Sequence, residues 1–344
     1  MPNVRLRRPR AYRAYARVET RTRTAIALVL TCMSAVAAQE PSVFRSSTDL
    51  VLVPVSVTDQ NGRFVQGLTS DDFEISADGA RRAVKQFSAA RVPVSLIILL
   101  DISGSMMRGP DARAADDARW ADTRRALEAL MTRLDAADEL VFAVFNDQLA
   151  ASPWTQDRVL ILDAFDALRP GGGTALLQAI TEIAPAFRMA RHQRKVLLLI
   201  SDGNDTRMNA AGALPPPPSE IGDLTAHFSD SQRTHRRILI GGSRNAVRKS
   251  NAVLYAIGIG TRSGVPVDIN LLDGLTKESG GYTEPLGSPS EIAAAVARIC
   301  DDLQSQYLLT FEPAHSDGKY HSIRVRTKDT RLKVRTRAGY VAAR

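Results

Sequence analysis

Between residues 94 and 260 the chain alternates apolar runs with amphipathic stretches. VSLIILL (Val94–Leu100), ELVFAVF (Glu139–Phe145), KVLLLI (Lys195–Ile200) and AVLYAIGIG (Ala252–Gly260) are continuous runs of strand length. Such runs are expected of strands buried on both faces of a parallel sheet. Between them apolar positions recur at helical spacing. Trp120, Leu127, Leu130, Met131 and Leu134 share one face. Val159–Leu168 predicts a short helix closed by Pro170–Gly173. Thr174 opens a second, carrying Leu176, Leu177, Ile180, Ile183 and Phe187, which Pro185 shortens or kinks. Ile269–Ser279 predicts a helix ending at Gly280–Gly281. Ser288–Glu291 reads as a capping box with proline at the first helical position, opening a helix that carries Ile292, Val296, Ile299 and Leu303. Strand and helix in alternation predict a doubly wound α/β fold.

Both flanks read as β. Leu50–Thr58 is a strand candidate, placed at a sheet edge by Pro54. Turns at Asp59–Gly62 and Asp78-Gly79 separate the short strands Phe73–Ser76 and Val84–Phe87. After Ser305, Tyr307–Phe311 is a strand, and Tyr320–Thr327 with Leu332–Thr336 reads as a hairpin. An isolated hairpin is only marginally stable, so the two flanks are expected to pack as one discontinuous β unit. Segment 206–250 is the least regular part. Pro215–Pro218 is an extended surface piece, and Ile238–Gly242 interrupts a helix within an elaborated crossover. The expected division is a leader over 1–38, a β-rich segment over 43–91, an α/β domain over 92–304 and a C-terminal β segment over 305–344.

Charge adds little to this picture. The +8 of the 344-residue chain is concentrated in residues 1–38, which hold eight arginines against Glu19 and so carry +7. The remainder stands near +1, which argues against nucleic acid as a partner. The basic start, the apolar stretch Ala25–Ala38 and the small residues before Gln39 have the form of a secretory signal. The apolar stretch is shorter than the roughly 20 residues of an ordinary membrane span. The expected location is therefore periplasmic or extracellular, with no transmembrane span after cleavage. Anchoring by the N-terminus stays open, through an uncleaved helix, a lipid on Cys32 or a twin-arginine route at Arg7-Arg8. Only Cys300 would remain after cleavage, so no internal disulfide is expected, and Cys300 reads as an inert core residue.

Polar chemistry concentrates where predicted strands end. Asp101, Ser103 and Ser105 place oxygens at alternate positions after the first apolar run. Thr174 follows the flexible Gly171–Gly173, and Asp202 follows Lys195–Ile200. In a doubly wound sheet these ends converge on one edge. Three hydroxyls and two carboxylates are hard oxygen donors suited to Mg2+, with Mn2+ or Ca2+ as alternatives.

The D-x-S-x-S loop, the glycine-preceded threonine and S-D-G after a buried strand together resemble the von Willebrand factor type A (VWA) domain and its metal-ion-dependent adhesion site. The resemblance covers about residues 92–304. DLVLVPVSVTDQNGRFVQGLTSDDFEISADG before it, and YLLTFEP, YHSIRVRT and VRTRAGYVA after it, resemble exported bacterial VWA-related proteins. The resemblance implies a Rossmann-like core with a flanking β unit. It implies Ser103, Ser105 and Thr174 as direct metal ligands, with Asp101 and Asp202 direct or through water. It also implies one coordination position left for an Asp or Glu of a protein partner. The insert Met107–Asp117 and segment 206–250 depart from the simplest form and are expected to shape the metal face. Asp205 reads as a loop residue beside the site.

The leading function is an exported, non-enzymatic protein-binding module. A structural or scaffolding envelope protein, its metal only tying loops together, is a second class. A metal-dependent hydrolase is a third. Against catalysis, the chain has no G-x-S-x-G, no P-loop and no H-E-x-x-H, and Ser103 and Ser105 have no evident base. His192, His227, His235, His315 and His321 are scattered and read as surface residues. Arg324, Arg326, Arg331, Lys333, Arg335 and Arg337 of the C-terminal hairpin read as one cationic face, either simply solvated or a contact for an anionic envelope polymer.

Overall fold

A computed structural model describes residues 50–107, 112–207, 221–260 and 266–343. The side chains of Ser105, Met107, 112–117 and 221–232 fall outside that description, as do the predicted leader, Pro215–Pro218 and part of the Met107–Asp117 insert.

In chain order the strands are β1 (Val51–Thr58), β2 (Phe73–Ala77), β3 (Ala80–Arg82), β4 (Gln86–Ser88), β5 (Ser95–Asp101), β6 (Glu139–Phe145), β7 (Leu149–Ala151), β8 (Lys195–Ser201), β9 (Val253–Ile259), β10 (Thr283–Leu286), β11 (Tyr307–Phe311), β12 (Tyr320–Thr327), β13 (Lys333–Thr336) and β14 (Gly339–Val341). The α-helices are α1 (Gly104–Met107), α2 (Ala112–Arg133), α3 (Arg158–Asp166), α4 (Leu176–Ile183), α5 (Ile221–Ser250), α6 (Ile269–Ser279) and α7 (Ile292–Ser305).

The central sheet runs β10-β9-β8-β5-β6-β7, parallel throughout except for the antiparallel edge β7. The continuous apolar runs are explained by two cores. Leu96, Ile98 and Leu100 join one face with Leu127 and Leu130 of α2 and Val296 and Ile299 of α7. Ile97 and Leu99 point the other way, into a core shared with α4, α5 and α6. Each fully buried aliphatic side chain contributes about 1.5–3 kcal/mol, so both helical layers hold the sheet. Two short strands, β7 and β10, carry too few residues to show a pattern and escaped the sequence reading.

The two flanks form a sandwich of four-stranded sheets, β13-β1-β11-β4 and β14-β12-β2-β3. Val53, Val55 and Val57 face Phe73, Ile75, Ile323 and Val325 across a common core. The N- and C-terminal segments are thus interleaved strand by strand.

Several sequence expectations are corrected here. Tyr320–Thr327 and Leu332–Thr336 are not a hairpin, since β12 pairs with β2 and β14 whereas β13 pairs with β1 in the other sheet. The cationic face is accordingly split. Arg324 and Arg326 are exposed, but Arg335 and Arg337 turn inward. Pro54 does not mark an edge, because β1 lies between β13 and β11. Its carbonyl accepts the Thr336 hydroxyl at 2.8 Å, so its missing N–H faces the β13 side, where the β13 register begins only at Val55. No ladder bond asks for that donor.

Ile238–Gly242 does not break a helix, since α5 runs through both glycines. Leu239, Ile240 and Val247 keep one stripe packed on the core, outweighing about 1 kcal/mol per glycine. His321 is buried rather than superficial. Among the described residues, no helix is long and apolar enough to cross a membrane.

Candidate metal centre

β5 and β8 are neighbours in register, Leu100 beside Ile200, so their C-terminal ends deliver Asp101 and Ser201-Asp202 side by side. The chain leaving β5 turns at once. Asp101 Oδ1 accepts Ser103 N at 2.9 Å, and Asp101 Oδ2 accepts the Ser201 hydroxyl at 2.6 Å. Ser201 Oγ also accepts Gly203 N at 3.0 Å. Asp202 O accepts Asp268 N at 3.1 Å, tying the loop to the start of α6.

The glycine loop is laced onto the D-x-S-x-S loop. Gly104 N donates to Gly172 O at 3.0 Å and Gly171 N to Ile102 O at 2.8 Å. Asn146 and Asp147, just after β6, shape the same loop: Asn146 Nδ2 donates to Gly171 O at 2.8 Å, and Gly173 N to Asp147 Oδ2 at 2.7 Å. A side chain at Gly173 would place its Cβ 2.5 Å from Asp147 Oδ1, so it would force the Asp147 carboxylate out of its present position against the loop. Thr174 N donates to Thr206 Oγ1 at 2.9 Å, and Thr174 O accepts Thr206 N at 3.0 Å. The threonine loop therefore rests directly on the chain that follows Asp202.

Asp101, Ser103, Thr174 and Asp202 are all buried, and their three segments are in mutual hydrogen-bond contact at one sheet edge. Ser105 lies on α1, and its side chain is outside the described residues. Burial pushes the Asp101 carboxyl up to about 7; hydrogen bonds from Ser103 and Ser201 oppose this, and the nearby Asp202 adds to it. Asp202 Oδ1 accepts Asn204 N at 2.9 Å. Asp202 Oδ2 is buried with no hydrogen-bond partner. A buried carboxylate oxygen without a partner is costly. A dication fits this arrangement, since it would engage the orphan oxygen and offset two adjacent buried carboxylates.

The sequence reading passed over several supporting residues. Ser201 holds Asp101. Asp205, which the sequence did place beside the site as a loop residue rather than a ligand, is buried and accepts Leu177 N at 2.9 Å at the start of α4. Arg119 of α2 donates to Met106 O at 3.0 Å behind the first loop. Asn146 and Asp147 were legible by the logic that found Asp101, as polar residues directly after a buried strand. Among the described residues no cluster of three His, Cys, Asp or Glu side chains could hold a metal ion. Of the histidines, His192 precedes β8 at the opposite end of the sheet, and His315 and His321 belong to the sandwich. His227 is outside the described side chains.

The family model for the von Willebrand factor type A domain matches residues 96–204. No curated protein sequence matches the chain. Among solved structures, it is similar to an aerotolerance-related membrane protein from Bacteroides fragilis, at 16% identity over 60% of this chain and 98% of that one, with a TM-score of 0.42. It is similar to the vWF domain of the type V pili tip protein Mfa5 from Porphyromonas gingivalis, at 15% identity over 62% and 95%, TM-score 0.46. It is also similar to proximal thread matrix protein 1 from the mussel byssus, with a zinc-occupied MIDAS motif, at 14% identity and TM-score 0.42. That match covers 62% of this chain and 48% of the mussel protein, so the chain spans about half of its length.

Proposed function

We propose that this chain, which carries a von Willebrand factor type A domain, is an exported, non-enzymatic binding module that captures a protein partner through a divalent cation. The domain is the part of the chain over 92–304, flanked by the β unit of 43–91 and 305–344. Asp101, Ser103, Ser105, Thr174 and Asp202 would hold the ion, with Mg2+ as the expected metal. The ion would supply an electrophilic position for an Asp or Glu carboxylate of the partner.

The observation that carries this reading is the buried, unpartnered Oδ2 of Asp202 beside the buried Asp101. Hydrogen bonds within the chain satisfy Asp101 and leave that oxygen for a cation. The remaining groups serve position: Ser201 fixes the Asp101 carboxylate, and Asn146, Asp147 and Thr206 fix the threonine loop. With two carboxylates against a dication, the site is formally neutral, so an incoming carboxylate meets attraction to the metal.

The test is capture from the envelope fraction by the full chain in Mg2+ and in EDTA, with Asp101→Ala alongside. A partner retained in Mg2+, released by EDTA and lost in Asp101→Ala is expected. Capture that is indifferent to EDTA and to the substitution would remove the reading.

A further inference from the structure

At the opposite end of the central sheet, where β8 begins, a cavity of about 250 Å³ opens between the α/β layer and the sandwich. Lys195 lies seven residues from Asp202, and at about 3.3 Å per strand residue the cavity is roughly 20 Å from the metal face. Its lining includes Arg191, His192, Lys195 and Arg337 and, among the described residues, no Asp or Glu.

The buried cation here is Arg337, only 6% exposed. Its hydrogen bonds go to neutral acceptors: Nη1 to Asn251 Oδ1 at 3.1 Å, and Nη2 to Leu52 O. Its Nε is buried and has no partner. Lys195, half-buried on the same wall, makes no ion pair or side-chain hydrogen bond with the described residues. Burial and the neighbouring Arg337 hold the Lys195 ammonium below its usual value, and burial lowers Arg337 to about 10. His192 is not available in the same way, since its Nε2 lies 2.9 Å from Ala137 O.

Two adjacent cations with no carboxylate beside them among the described residues are unfavourable in a partly desolvated site. Several other arginines at element junctions are paired with carboxylates, as Arg335 with Asp302, Arg91 with Asp138 and Arg248 with Glu278, whereas the buried Arg194, like Arg337, bonds only neutral acceptors. What sets Arg337 apart is that, with Lys195, it lines a cavity large enough for a small molecule. We propose that this cavity is an oxyanion site for a phosphate-bearing ligand, with Lys195 and Arg337 as its two cationic anchors. A phosphate monoester carries a charge of about −1.5 to −2 near neutral pH, which matches the two positive groups. Apolar lining from Val51, Leu52 and Pro313 leaves room for a non-polar substituent beside the phosphate.

The site does not depend on the metal centre, so the test is run in EDTA. Full-length protein is titrated with inorganic phosphate by calorimetry at constant ionic strength. Saturable 1:1 binding is expected, weakened at least about tenfold in Lys195→Met, the loss of one charge-assisted hydrogen bond. Arg324→Gln, which removes an exposed arginine of β12, is expected to bind as wild type. If Lys195→Met does not fold, Lys195→Gln serves in its place. Absence of saturable binding, or wild-type affinity in the Lys195 variant, would overturn the proposal.

Discussion

Arg335 Nη2 donates to Asp302 Oδ2 at 2.5 Å, joining β13 of the sandwich to the last helix of the α/β layer. Asp302 is fully buried, and both of its carboxyl oxygens accept hydrogen bonds. Its Oδ1 accepts the Ser56 hydroxyl of β1 at 2.6 Å, and its Oδ2 also accepts the Tyr255 hydroxyl of β9 at 2.6 Å. Gln306 Nε2 donates to Tyr255 Oη at 2.9 Å, and the Arg335 guanidinium lies 4.8 Å from the Tyr282 ring centroid. One carboxylate thus ties three elements of different layers together.

Removing one partner of such a pair leaves the other charge stranded. Arg335→Met should destabilise the chain by about 3 kcal/mol, read as a lower urea midpoint. Because the network spans both layers, wild-type protein should unfold in one transition by far-ultraviolet circular dichroism and by tryptophan fluorescence. Two separated transitions would show that the sandwich and the α/β layer are not coupled as described.

His321 provides a pH dependence with a definite sign. Its Nδ1 lies 2.6 Å from Asp78 Oδ2 and its Nε2 3.0 Å from Asp317 Oδ1. Hydrogen bonds donated to Asp317 and then Asp78 raise the imidazole above its ordinary 6.5, and His321 in turn lowers both carboxyls below 3.8. A raised folded value means that the histidine's stabilisation is complete below 6.5 and lost as pH rises through the folded value. The carboxylates' share is present above 3.8 and lost as pH falls through their depressed values. Thermal stability should therefore decline from pH 6 to pH 8, and His321→Gln should flatten that slope. An unchanged slope would show that the triad does not titrate in this way.

The contrast between what the sequence announced and what it concealed follows from the range of the interactions. β5, β6, β8 and β9 were legible because burial on both faces demands unbroken apolar runs. Asp101, Ser103, Thr174 and Asp202 were legible because they stand immediately after such runs or after a glycine loop. The partners of β12 and β13 were not, since each strand pairs with a segment near the other end of the chain and the intervening turn looks like that of any hairpin. The continuity of α5 was hidden because Gly241-Gly242 suggests a break locally, while the packing of Leu239, Ile240 and Val247 that overrides it is tertiary. Arg337 looked like one more exposed arginine in an alternating strand. Only the fold shows that it turns inward.

Cys300 is 3% exposed on α7, and burial pushes its thiol up to about 11. A buried thiol held in the neutral form is a poor nucleophile. In a Cys32→Ser background, a thiol reagent at pH 8 should label native protein at least about a hundredfold more slowly than urea-unfolded protein, the reaction being limited by opening of the core. Rapid labelling of the native state would show that α7 is not seated as described.

The central claim is that the buried carboxylates at the ends of β5 and β8 hold a divalent cation. Asp202→Asn keeps the shape of the side chain and an acceptor for Asn204 N, and it removes the charge on the unpartnered oxygen. Calorimetric titration of EDTA-stripped protein with Mg2+ should give one saturable site in the wild type, weakened at least about tenfold in Asp202→Asn. Equal Mg2+ affinity in the two proteins, or no saturable binding in the wild type, would contradict the assignment.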